Sequence, residues 1–272
     1  MEKLIITAAI CGAEVTKEDN PAVPYTVEEI ANEAKRARDA GAAVVHLHVR
    51  YDDGTPTQDK ARYKECIEAI REKAPDVIIL PSTGGAVGMT AEERLQPVEL
   101  APEIATLDCG TLNFGDEVFM NTIPMLKEFA TKMKEMNVKP ECEVFEKGHI
   151  DTAINLAAKG FINSPIQFNF VLGVPGAAIA DARTLAFFVD SLPHGSTWTA
   201  TGIGKSSLTL AAAAIPMGGN VRVGFEDTIY VSRGVLANSN GQLVENVVNL
   251  AKTLGREIAE PDDARRILSL AK

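Results

Sequence analysis

Thr26-Val27-Glu28-Glu29-Ile30-Ala31-Asn32-Glu33-Ala34-Lys35-Arg36-Ala37-Arg38-Asp39-Ala40-Gly41-Ala42-Ala43-Val44-Val45-His46-Leu47-His48-Val49 reads as one helix feeding one strand. Thr26 precedes the apolar-periodic stretch 27–40 with Glu29 in the capping-box position, and Gly41 stands where a helix C′ glycine belongs. The run 43–49 is short, apolar and rich in β-branched residues, as a buried parallel strand requires. The same alternation extends in both directions. Strands are expected over 4–10, 43–49, 77–81, 104–107, 142–145, 166–171, 197–201 and 221–225. Helices are expected over 27–40, 60–73, 91–100, 119–136, 150–159, 181–191, 206–214 and 242–258. Thr90 with Glu93 repeats the capping box, and Gly160 repeats the C′ glycine.

A strand-then-helix unit repeated about eight times with no long linker predicts a parallel sheet. An open, doubly wound sheet is the alternative. Eight units of about 30 residues account for nearly all of the 272 residues, which favours a (β/α)8 TIM barrel forming a single domain over 1–272. A hydrophobic share of 46% supplies a large core. With a net charge of −10 and a pI near 5.0, nucleic acid is an unsuitable partner. No signal peptide is evident and no apolar run approaches the roughly 20 residues of a membrane span, so the expected location is the cytoplasm. Cys11, Cys66, Cys109 and Cys142 are widely spaced and are expected to be reduced core thiols.

In a barrel the working residues lie at the C-terminal ends of strands and in the loops that follow. The polar oddities of this sequence fall there: Glu14, then His46, His48 and Arg50, then Ser82 to Gly85, Thr106 with Asp108, Glu143, and Glu226 with Asp227. The sharpest is His46-Leu47-His48. Strand residues at i and i+2 share a face, roughly 6.6 Å apart, and Zn–N bonds of roughly 2.1 Å let both rings converge on one ion. The competing reading is a pair of buried histidines held by carbonyls. In a closed barrel the last strand lies two strands from the second, about 10 Å away, so Glu226 can complete a site of two histidines and one carboxylate. Arg222, on the same side of its strand as Glu226, would keep Asp227 ionised and oriented as a general base; a plain surface ion pair is the alternative.

Thr201-Gly202-Ile203-Gly204-Lys205-Ser206-Ser207 fails the P-loop pattern, because Thr199 stands where the first glycine belongs. Gly202, Gly204 and Lys205 still offer flexible backbone, a cation and a helix N-terminus to an anion. A simple strand-to-helix turn explains them equally well. His149 and His194 stand alone and are expected at the surface.

Taken in order, six blocks resemble the β-keto acid cleavage enzyme family over essentially the whole chain. They are Gly41 to Arg50, Asp53 to Thr57, Pro81 to Gly85, Leu107 to Gly115, Pro140 to Phe145, and Arg222 to Asp227. The resemblance implies a (β/α)8 barrel carrying one zinc per subunit on His46, His48 and Glu226. It also implies a homotetramer, and a reaction that takes acetyl-CoA and a β-keto acid to acetoacetate and a new acyl-CoA. It implies that Asp227, poised by Arg222, removes the proton between the keto and carboxylate groups. The enolate then attacks the thioester of acetyl-CoA, and the released CoA thiolate attacks the former keto carbon in a retro-Claisen cleavage. Ser82 and Thr106 match positions that bind the reacting acid. Glu14 and Glu143 match positions that vary with its distal group, and acidic residues there suit an amine, as in 3-keto-5-aminohexanoate. Dehydrocarnitine is the close rival; it would call for an aromatic cage, and aromatic residues are only 6% here. The chain departs from the family at Lys205-Ser206-Ser207, where an Arg-x-Gln pattern is common, and at Asn220, where histidine is frequent; both bear on the CoA-phosphate contacts. A metal-dependent aldolase or hydrolase without CoA and a non-catalytic metal-bound sensor are the other functional classes.

Overall fold

A computed structural model describes residues 1–270. Eight parallel strands form its central sheet: β1 (Ile6–Ala9), β2 (Val44–Leu47), β3 (Ile78–Pro81), β4 (Ile104–Asp108), β5 (Lys139–Val144), β6 (Gln167–Leu172), β7 (Thr197–Gly202) and β8 (Asn220–Val223). Their order is β3-β2-β1-β8-β7-β6-β5-β4, so the first and last strands of the chain pair and the sheet curls into a barrel. The remaining seam, between β3 and β4, is stitched just above β3 by side chains. Thr83 donates its backbone N–H to Thr106 Oγ1 (2.9 Å) and its hydroxyl to the Thr106 carbonyl (2.7 Å).

The outer layer holds α1 (Val27–Ala40), α2 (Lys60–Lys73), α3 (Ala91–Leu95), α4 (Ile123–Glu135), α5 (Lys147–Ala158), α6 (Ala182–Val189), α7 (Ser207–Ala214), α8 (Asn240–Thr253) and α9 (Pro261–Ile267). Thr26 and Glu29 form the predicted capping box on α1, and its buried face of Ile30, Ala31, Ala34 and Ala37 packs inward. The (β/α)8 barrel is therefore the observed architecture.

The differences lie at element ends and in short elements that were not expected, among them α9 after the last expected helix. The helix expected over 119–136 begins only at Ile123, because Thr122 caps it by accepting the Met125 N–H and Pro124 occupies its first turn. The stretch before it forms a hairpin, Leu112–Phe114 against Glu117–Phe119. Two further hairpins, Val49–Arg50 with Pro56–Thr57 and Tyr230–Ser232 with Val235–Leu236, also rise from strand ends. The helix expected over 91–100 tightens into a 3₁₀ turn from Gln96 onward, where Pro97 removes a backbone donor. His149, expected at the surface, is buried: its Nδ1 accepts the Phe145 N–H at 3.3 Å, and Gly110 leaves it room. His194 is exposed.

Candidate metal centre and active site

The register of three strands assembles the centre. Ala9 of β1 lies opposite His46 of β2, and Thr7 lies opposite Arg222 of β8. Glu226 was expected on the same strand face as Arg222, but β8 stops at Val223. Gly224 then takes a positive φ of 152°, where an added Cβ would collide with the Ala9 carbonyl oxygen at 2.1 Å. The chain turns there: Asp227 and Thr228 donate their N–H groups back to the Gly224 carbonyl, while Glu226 donates its own to Ala9. This turn carries Glu226 across the small residues of β1 to the histidines. Gly12, also at positive φ, clears the path, since a Cβ there would stand 2.7 Å from Glu226 Cγ.

Glu226 Oε2 lies 3.4 Å from His46 Nε2, and Oε1 lies 3.6 Å from His48 Nε2. One ligand atom from each of the three residues falls within 4.8 Å of the others. The polar atoms of the three residues fit a divalent ion. Among the described residues, His46 Nδ1 and Glu226 Oε2 are the buried side-chain polar atoms that lack a hydrogen-bond partner. Such orphans are costly unless a ligand meets them. Burial lowers the His46 pKa to about 4, which keeps the imidazole neutral with a lone pair to give. Burial pushes the Glu226 carboxyl up, but Arg222, His46 and His48 outweigh it and hold the group well below the usual carboxylate range. Two imidazoles and an anionic oxygen suit zinc with an open position.

Arg222, 3% exposed, binds three carboxylates at once. Its Nε and Nη2 donate to the two oxygens of Asp227 at 3.0 and 2.9 Å, Nη2 also reaches Glu226 at 2.5 Å, and Nη1 donates to Glu143 at 2.8 Å. Asp227 is buried, and that burial raises its carboxyl to about 6 against the pull of Arg222. A carboxylate gripped on both oxygens and set beside the triad has the orientation and basicity a general base needs.

A cavity of about 560 Å³ opens over this cluster and is lined by Glu14, His48, Ser82, Glu143, Arg222, Glu226 and Asp227. Glu14 is exposed at its rim. Thr106 is fully buried at the β3–β4 seam and is not among the lining residues. Of the glycine-rich turn, Gly204 lines the cavity, but its N–H is taken by the Asp227 carbonyl at 2.7 Å. Gly202 ends β7, and Lys205 is exposed and outside the cavity. Sequence reasoning gave no role to Asp108, which lines the cavity, or to Arg94, which is buried behind it. It also missed the apolar wall, in which Phe114 and Phe119 come from the hairpin and Phe145, Val171 and Val174 from the β5 and β6 ends.

The comparisons with known proteins converge. The chain is 67% identical to the 3-keto-5-aminohexanoate cleavage enzyme of Fusobacterium nucleatum subsp. nucleatum over 273 aligned positions, covering 100% of each chain. It is 39% identical to the 3-dehydrocarnitine:acetyl-CoA trimethylamine transferase of Rhizobium meliloti, covering 99% of this chain and 97% of the relative. Among solved structures, the binary complex of ObcA with oxaloacetate superposes with a TM-score of 0.78 at 22% identity, covering 93% of this chain and 68% of that one, which supports the barrel fold. The model of the beta-keto acid cleavage enzyme family matches residues 3–270. With the whole barrel matched and the strand ends converging as described, this chain belongs to the β-keto acid cleavage enzyme family.

Proposed function

We propose that this protein is an acyltransferase that converts 3-keto-5-aminohexanoate and acetyl-CoA into acetoacetate and 3-aminobutyryl-CoA, with one zinc ion on His46, His48 and Glu226. The observation that carries the reading is Asp227, a buried carboxylate held on both oxygens by Arg222 beside the triad, in a chain 67% identical to an enzyme named for that substrate. Zinc bound there supplies the positive charge that makes an adjacent carbon acid easier to deprotonate. The chain's own residues do the rest. Asp227 takes the proton between the keto and carboxylate groups, and Arg222 keeps it ionised and aimed. The carbanion forms a bond to the thioester carbonyl and CoA leaves as thiolate. The thiolate attacks the former keto carbon, the bond between that carbon and the acetylated carbon breaks, and the proton held by Asp227 returns to the departing carbon, releasing acetoacetate and the new thioester.

Ser82 and Thr106 serve the reacting acid, Thr106 by pinning Thr83 and with it the Ser82 loop; Glu14 and Glu143 serve the distal amine. Gly202, Gly204 and Lys205 sit at the N-terminal end of α7, on the side from which the CoA phosphates approach. The protein acts in the cytoplasm, as a homotetramer, in lysine degradation; no helix among the described residues is long and apolar enough to cross a membrane.

Dehydrocarnitine is the second reading, favoured by Phe114, Phe119, Phe145 and Tyr230 along the cavity. Arg94 already covers the Phe119 ring, 4.9 Å from its centroid, which argues against a cage built on that face. Zinc-loaded protein incubated with acetyl-CoA and each acid, followed by mass spectrometry, decides the matter. 3-Aminobutyryl-CoA, dependent on metal, is the expected product. No new acyl-CoA from either acid, or from other β-keto acids, would overturn the reading.

A further inference from the structure

Six carboxylates line the cavity, Glu14, Asp19, Asp108, Glu143, Glu226 and Asp227, against one guanidinium, Arg222. Glu226 and Asp227 both share that guanidinium beside the histidines, and Glu143 takes its third donor. Asp108 has no place in the reaction described above.

It is nevertheless built into the site with care. Asp108 ends β4 directly opposite Glu143 of β5, and is only 3% exposed. Arg94 stands behind it, sandwiched between the rings of Phe119 and Phe129 at 4.9 and 5.2 Å. The guanidinium spends its short bonds elsewhere: on the Thr83 carbonyl (2.6 Å), the Met120 carbonyl (2.9 Å) and Asn121 Oδ1 (2.6 Å). It reaches Asp108 only at Oδ2, at 3.4 Å. The other close polar neighbour of Asp108 is the Glu143 carboxyl, with which it shares a side-chain hydrogen bond. On the other side, Gly84 has no side chain; a Cβ there would stand 3.3 Å from Asp108 Oδ2 and 3.2 Å from Ser82 Oγ. The carboxylate is thus anchored from behind by one long bond, uncrowded beside Ser82, and set against a second carboxyl in a walled cavity.

Two buried carboxylates side by side are unfavourable unless a cation meets them. Glu143 has already given Oε1 to Arg222 and to Asn169 Nδ2 (3.2 Å). A primary ammonium carries three donors and would satisfy the oxygens that remain on both groups.

We propose that Asp108 is a specificity-determining residue of this cavity, which takes, together with Glu143, the ammonium group of an amino-substituted β-keto acid. Arg94 is its positioning residue. The inference rests on the reading of the substrate given under the proposed function and adds the residue that selects it.

The test compares two acids that differ only in the amine, 3-keto-5-aminohexanoate and 3-oxohexanoate, each with acetyl-CoA and zinc-loaded enzyme. For Asp108→Asn, which keeps the shape and removes the charge, the ratio of the two kcat/KM values falls roughly 30-fold, the size of one lost charge-assisted hydrogen bond. The loss is concentrated in KM for the amino acid substrate, with zinc content retained. Asp108→Ser gives the same fall if the asparagine variant folds poorly. Equal losses on both acids mean a purely structural residue and refute the proposal, as does a variant that keeps the wild-type ratio. Wild-type enzyme that handles the amino acid no better than its des-amino counterpart removes both this proposal and the substrate reading. A wild-type preference that survives in the variants removes this proposal alone.

Discussion

Glu141→Gln should make the stability of this protein less dependent on pH. Glu141 lies on β5 two residues before Glu143, deeper in the barrel, and is 3% exposed. It has no cation in contact: Oε2 accepts from Gln167 Nε2 at 3.1 Å and Oε1 from Asn169 Nδ2 at 3.5 Å. Burial pushes its carboxyl from about 4.5 up to about 7, against the weaker pull of Gln167, Arg222 and Asn169. An acid whose folded pKa is raised is fully accommodated below its unfolded pKa, and the folded state then loses stability as pH rises towards the folded value. At about 1.4 kcal/mol per pH unit, the shift makes ionised Glu141 cost about 3 kcal/mol by neutral pH. Glutamine never ionises, but it sets an amide N–H₂ against one of the two amide donors; sacrificing the 3.5 Å contact costs about 1 kcal/mol. The variant should therefore be slightly less stable than wild type near pH 4.5 and about 2 kcal/mol more stable at pH 8. For a chain of this length, the swing of about 3 kcal/mol corresponds to a crossing of the two Tm curves by roughly 5 °C. Scanning calorimetry across pH 4.5 to 8, with the fluorescence of the single tryptophan, Trp198 on β7, as a second probe, reads it directly. Parallel curves for variant and wild type would refute the reasoning, because they would mean that Glu141 ionises in the fold at no cost.

Further outcomes follow from the site. Asp227→Asn should lower kcat by about 10² to 10⁴, the range for loss of a positioned base, while elemental analysis still finds zinc; lost metal would show instead that Asp227 supports the ion. His48→Ala should drop zinc stoichiometry well below one per chain and raise the sensitivity of activity to chelators; full metal content would exclude His48 as a ligand. Arg222→Met should destabilise the fold by about 3–5 kcal/mol, since Glu143, Glu226 and Asp227 lose their shared cation; an unchanged denaturation midpoint would contradict the network. Thr83→Val should cost about 1–3 kcal/mol, because the hydroxyl bond across the β3–β4 seam is lost and the Thr106 carbonyl is left without that donor.

Some of this protein is a local property of the chain and needs no third dimension to be read. The helices of 27–40 and 60–73 begin and end where their caps and apolar spacing place them. The i and i+2 histidines, and the concentration of polar residues after each strand, follow from strand periodicity and from the rule that barrels work at their strand ends. The tertiary structure decided what depends on register and closure. His46 and Glu226 are far apart in sequence and meet because β1 lies between β2 and β8 and Gly224 breaks the last strand early. Asp108 joins the cavity, and Thr106 the seam, because a strand sends alternate residues to one face and only the β4–β5 and β3–β4 contacts say what each then finds there. The apolar wall is invisible to periodicity because Phe114 and Phe119 lie in a short hairpin and line the cavity only once the chain has folded. Neighbours along the chain set backbone conformation, whereas the chemistry of a buried charge depends on which distant groups share its low-dielectric surroundings, and packing alone brings those together.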